Sequence, residues 1–140
     1  MKKFIALFLL QPLLMSEELL SIDEFFSTEQ ASSKGSYKLT IYSLEKCSAI
    51  TFISIGGDNP DVYDLGDHFL ETSLAFKIDE EPEISLEAHQ ENTFQAIQIY
   101  FKEYEAHLKE FLKTEPASPF SELMKEDLKF CMGIYEVTSK

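Results

Sequence analysis

Residues 37–55 read Tyr-Lys-Leu-Thr-Ile-Tyr-Ser-Leu-Glu-Lys-Cys-Ser-Ala-Ile-Thr-Phe-Ile-Ser-Ile. In Tyr37–Leu44, Leu39 and Ile41 face one way and Lys38 and Thr40 the other, the alternation of a half-buried strand. Ser48–Ile55 is β-branched and apolar on both faces, as a central strand would be. With only Glu45-Lys46-Cys47 between them, the two predict a β-hairpin. The flanks extend this reading. Leu70, Thr72, Leu74, Phe76 and Ile78 alternate with Glu71, Ser73, Ala75 and Lys77, predicting a long third strand. Ile84, Leu86 and Ala88 predict a short, acidic edge strand, and Ile134–Thr138 a last one.

Helical spacing marks the rest. Leu13, Leu14, Leu19, Leu20, Ile22, Phe25 and Phe26 predict an N-terminal helix over 13–28, with Glu17, Glu18, Asp23 and Glu24 opposite. The clearest periodicity is Phe94, Ile97, Phe101, Tyr104, Leu108 and Phe111, opened by Asn92 and Gln95 as a capping box. Ser118-Pro119 predicts the start of a short helix that Gly133 ends. The expected architecture is α+β in one domain over residues 1–140. It has a mainly antiparallel sheet of four to five strands against the long amphipathic helix, with an N-terminal helix and a short C-terminal one.

The N-terminus poses a compartment question. Lys2 and Lys3 precede an apolar run from Phe4 to Met15, the layout of an export signal, but Leu14 and Ser16 make a poor cleavage site. The apolar run is too short to span a bilayer. Its continuation into Leu19, Ile22 and Phe26 favours a retained helix and a cytoplasmic address. On that reading Cys47 and Cys131 are two buried thiols; in an exported chain losing residues 1–16 they would form a disulfide.

Charge bounds the partners. Twenty-five acids against 12 bases give a net −13, and all 12 bases are lysine. A chain that repels the phosphate backbone and lacks arginine is not built for nucleic acid. Such charge suits capture of a basic protein. Two acidic segments are candidate partner-binding surfaces: Asp58, Asp61, Asp64 and Asp67 after the Gly56-Gly57 turn, and Asp79, Glu80, Glu81, Glu83, Glu87 and Glu91 around Pro82.

Motifs for nucleophilic catalysis, phosphate cradling and dinucleotide binding are absent. His107 four residues after Glu103, and His68 near Asp64 and Asp67, fall short of a metal-ligand set, and the aspartates do not follow calcium-loop spacing. We therefore expect no catalytic residues, cofactor or metal. The expected function is a small acidic inhibitor of a basic, toxin-like partner, most concretely an immunity protein occluding a nuclease-type active site. The alternative is an exported, disulfide-bonded binding module; a small ligand carrier or enzyme ranks third.

Overall fold

The structure, a computed structural model, describes residues 19–54 and 60–140. Every regular element among them is a helix: α1 (Ile22–Phe26), α2 (Glu29–Ser32), α3 (Ser36–Ser54), α4 (Pro60–Glu80), α5 (Leu86–Thr114) and α6 (Glu122–Thr138). The expected sheet is not there. The described residues of all five predicted strands are helical or lie in the link before a helix, Ile55 falling outside them, and the α+β expectation is replaced by an all-helical bundle. Of the predicted N-terminal helix, residues 13–18 and the retained segment lie outside the described residues. The described remainder is one short helix, α1, and a second, α2, follows it beyond residue 28; each has its own hydroxyl cap: Ser21 Oγ accepts the Glu24 N–H and Thr28 Oγ1 that of Ala31.

Side-chain pairs give the helix directions. Ser48 Oγ donates to the Gly66 carbonyl and Lys77 reaches Glu45, so α4 runs antiparallel to α3. Tyr42 meets Tyr100 and Lys46 meets Tyr104, so α5 runs parallel to α3. Tyr104 bonds Asp127 and His107 bonds Ser121, which sets α6 antiparallel to α5. The result is an up-down-up-down bundle with α3 against each of the other three long helices. His68 Nε2 bonds the Thr138 hydroxyl at 2.8 Å and ties α4 to the end of α6.

The central position of α3 explains why its sequence resembles a strand. Ile41 and every residue from Ser43 to Thr51 are buried. A helix surrounded on all sides needs no polar face, so the 3.6-residue period vanishes. A short apolar run cannot be told from a buried strand by periodicity alone. Apart from Ser48, which reaches Gly66, its hydroxyls are satisfied locally: Ser43 donates to the Leu39 carbonyl, Thr51 to that of Cys47 and Ser54 to that of Ile50.

The reading fails on α4 for the opposite reason. The buried residues of its described part are Gly66, Phe69 and Ser73, only one of them large and apolar; Leu65, Leu70 and Lys77 are half-buried, whereas Phe76 and Ile78 are exposed. Small residues let α3 and α4 approach closely. A Cβ added at Gly66 would sit 2.6 Å from the Phe52 ring. Gly66→Ala is therefore expected to lower stability by about 1–3 kcal/mol through overpacking. Denaturation of G66A should show the loss and F52L/G66A should recover part of it; an unchanged G66A would mean that Phe52 swings aside freely.

The boundaries of the last two helices also move. Ser85, not Asn92, caps α5 by accepting the Ala88 N–H, and Gln95 instead donates to Glu91. Ser121, not Ser118, caps α6, which runs through Gly133. The cysteines differ from the favoured reading too. Cys47 in α3 and Cys131 in α6 are joined by a disulfide rather than left as thiols, both buried, with Cα atoms 5.5 Å apart.

Candidate functional site

The two acidic segments are not one surface. Asp58 lies outside the described residues. Asp61 falls in the first turn of α4 and its side chain is outside the described part; Asp64 and Asp67 are exposed on that helix. The expected acidic loop over Asp61–Asp67 is thus helical. Asp79 and Glu80 close α4, which places them about 24 Å from Asp64 at 1.5 Å per residue. The sequence patch separates into two groups toward opposite ends of one helix.

The second group is the more concentrated. Asp79, Glu80, Glu83, Glu87 and Glu91 are exposed and Glu81 is half-buried, all within the end of α4, a five-residue link and the first turns of α5. The Tyr37 hydroxyl is held above its ordinary range, first by partial burial and then by the negative field of Glu81, Glu80, Glu45 and Glu83. These carboxylates therefore share one neighbourhood with the start of α3. Helix ends usually carry cations, since exposed carbonyls make the C-terminus partly negative. The basic residue in the last turn of α4, Lys77, turns inward instead: its amine lies 3.2 Å from Glu45 Oε2 and 2.7 Å from Thr93 Oγ1. The outward side of this end stays acidic. Glu87, in the first turn of α5, meets the favourable end of that helix.

A polar cluster inside the bundle escaped the sequence reading. The Lys46 amine, on a side chain 2 % exposed, sits 4.6, 5.3 and 5.7 Å from the ring centres of Tyr104, Tyr100 and Tyr42 and 3.8 Å from Glu103 Oε2. Burial lowers its pKa, against the pull of Glu103 and Asp127. Burial likewise raises the Tyr42 hydroxyl and pushes that of Tyr100 up to about 12. Asp127 accepts the Tyr104 hydroxyl at 2.6 Å and the Ile22 N–H at 2.8 Å. A signal existed in the i, i+4 pairs Tyr42/Lys46 and Tyr100/Tyr104, but their meeting depends on how α3 and α5 pack. With Lys46, Tyr104 and Asp127 all buried, this cluster organises the core.

The histidines serve the ends of helices. His89 Nε2 donates to the Glu81 carbonyl at 2.9 Å, and His107 Nε2 shares a 2.7 Å hydrogen bond with the Ser121 hydroxyl that caps α6. Burial holds the His107 pKa below its usual value. Glu103 turns to Lys46 rather than joining His107, and among the described residues no three metal-ligating side chains converge.

A groove of about 760 Å³ lies along α6 beside α1, with Phe130, Gly133, Ile134 and Val137 along it and Asp23, Glu126 and Lys129 contributing charge. Glu126, Phe130, Gly133 and Val137 are spaced 4-3-4, one helical face. That spacing was readable, but taking Gly133 as a helix stop concealed it. Among the described residues, no helix is long and apolar enough to cross a membrane. Compared with known proteins, the chain matches no family model, no curated protein and no solved structure.

Proposed function

We propose that the protein is an exported acidic binding protein that neutralises a basic protein partner by covering it, most concretely as an immunity protein for a nuclease-type toxin. The observation that carries this reading is the exposed carboxylate cluster from Asp79 to Glu91, on a chain of net charge −13, with the nearby Lys77 turned inward. Such a surface attracts lysine- and arginine-rich sites and speeds encounter over long range. Of the two segments first given this role, the one around Glu80 and Glu83 carries it here, since Asp61–Asp67 belong to a helix.

The cysteines and the N-terminus support the exported compartment. Disulfides persist outside the reducing cytosol, and Lys2-Lys3 followed by the apolar run to Met15 has the layout of an export signal. Both support export over the cytoplasmic address that the N-terminus first favoured.

Capture of host proteins on the immobilised protein is expected to recover a basic partner whose binding weakens by roughly tenfold or more when salt is raised past the physiological range. A neutral partner, or salt-independent binding, would count against the electrostatic mechanism. The intact mass of protein isolated from its host is expected to lack about 16 N-terminal residues and two cysteine hydrogens. A full-length mass with two free thiols would restore the cytoplasmic reading.

A further inference from the structure

α6 carries two apolar faces. Met124 and Cys131 are buried in the core, and Leu128 and Tyr135 pack against it. The second face, Phe130, Gly133 and Val137 with Ile134 beside it, lines the groove; Phe130 and Ile134 also pack against the core, while Val137 is 77 % exposed. Phe26 of α1 meets Phe130 edge-on at 5.7 Å and is itself 37 % exposed, which carries apolar surface onto α1. Gly133 makes the arrangement informative. Glycine in mid-helix weakens a helix relative to alanine, and is normally retained where a neighbour comes close. Here a Cβ would meet nothing within 4 Å, so no described part of the fold requires the glycine.

We propose that this groove receives an amphipathic basic helix of the partner, with apolar residues at i, i+3 or i+4, and i+7 seated on Phe130, Gly133 and Val137. The groove spans Glu126 to Thr138, about 18 Å or just over three helical turns, the length such a stripe covers. Asp23 and Glu126 supply carboxylates for the lysines or arginines that flank the stripe, outnumbering the one lysine of the lining, Lys129, and the −13 net charge draws such a helix in. A second copy of the chain is a poorer occupant, because it brings the same negative charge. A stable dimer also needs roughly 800 Å² on each side, more than so narrow a groove provides. This proposal rests on the basic-partner reading and names where that partner is anchored.

The test uses a 14-residue helical peptide of leucine and lysine, a leucine–glutamate peptide of the same pattern, and amide chemical shifts of the purified protein. The leucine–lysine peptide is expected to shift amides of residues 23–26 and 126–138. Gly133→Leu, which fills the groove where added atoms meet no neighbour, should weaken that binding by roughly tenfold or more while the thermal melt stays cooperative. Glu80→Gln/Glu81→Gln/Glu83→Gln should leave it within about twofold. Shifts confined to residues 79–91 and insensitive to G133L would overturn the groove and leave the basic-partner reading standing. Binding of neither peptide would sink both. Equal binding of the leucine–glutamate peptide, a dimer abolished by G133L, or occupancy by the chain's own residues 1–18 would each assign the groove to a different occupant and overturn the proposal.

Discussion

Converting Cys47 and Cys131 together to alanine is expected to lower the unfolding free energy by about 4–5 kcal/mol. The bond joins residues 84 apart in sequence, so in the oxidised unfolded chain it holds a loop of more than half the molecule closed. Chain entropy for a loop of that length gives the figure, and the double variant removes the restriction from the unfolded state. Small domains are stable by only about 5–15 kcal/mol, so roughly a quarter or more of the total is at stake. The melting temperature should drop by roughly 15 °C. Urea denaturation also checks the mechanism. If the bond acts on the unfolded state, the variant unfolds to a more open chain and shows a steeper denaturant dependence than the oxidised protein. A loss under about 1 kcal/mol would show that the packing of α3 against α6 holds this region without the bond.

The second large effect concerns Asp127. Its two oxygens accept from the Tyr104 hydroxyl and the Ile22 N–H, both buried, and so join α6 to α5 and to the start of α1. Asp127→Ala leaves both donors without an acceptor and is expected to destabilise by about 3–5 kcal/mol. Asp127→Asn retains one acceptor and should lose less. Lys46→Met belongs to the same cluster but should stay within about 1 kcal/mol of the wild type. A long apolar side chain can fill the site among the tyrosine rings, desolvation of the amine is relieved, and half-exposed Glu103 can be hydrated. Equal losses for D127A and K46M would mean that the lysine charge, not the aspartate's hydrogen bonds, dominates.

The same pair of variants reads a pH dependence. Burial raises the Asp127 pKa despite the lowering effect of Tyr104, Ile22 and Lys46. The folded protein then holds that proton more tightly than the unfolded chain. The corresponding stability is present below the unfolded pKa and is lost as pH rises through the folded one. The asparagine variant has no such group. The stability of the wild type relative to D127N should increase as pH is lowered from about 7 to about 4. A relative decrease would mean that the hydrogen bonds outweigh burial. His107, held low by burial, pulls the other way below its ordinary value; the Asp127 carboxylate opposes that lowering, so the pull is stronger in D127N and adds to the expected relative rise.

How much of this was legible differs from one helix to the next. α5 was readable because it packs on one side: Ile97 and Tyr104 are buried at helical spacing while Gln98, Lys102 and Lys109 face water. α3 was not, because burial on every side removes the contrast on which periodicity depends. α4 was misread because its interior seam is small and polar while its apolar residues are partly exposed. The acidic character of the surface survived the change of fold, since most charged side chains stay outside, Glu45, Lys46 and Asp127 being buried exceptions. What changed is the setting of the first segment, because Asp61–Asp67 belong to the start of a helix rather than to a loop.

By itself, the amino-acid sequence determined the net charge, the lack of arginine, the pair of cysteines, the absence of catalytic motifs and one amphipathic helix. These depend on which residues are present, or on contrast within a single segment. Only the tertiary structure decided that α3 is a helix, that Cys47 lies against Cys131, that Lys46 sits among three tyrosines and that Gly133 floors an open groove. Each of those depends on neighbours distant in the chain, and local pattern cannot report a neighbour that has not yet been placed.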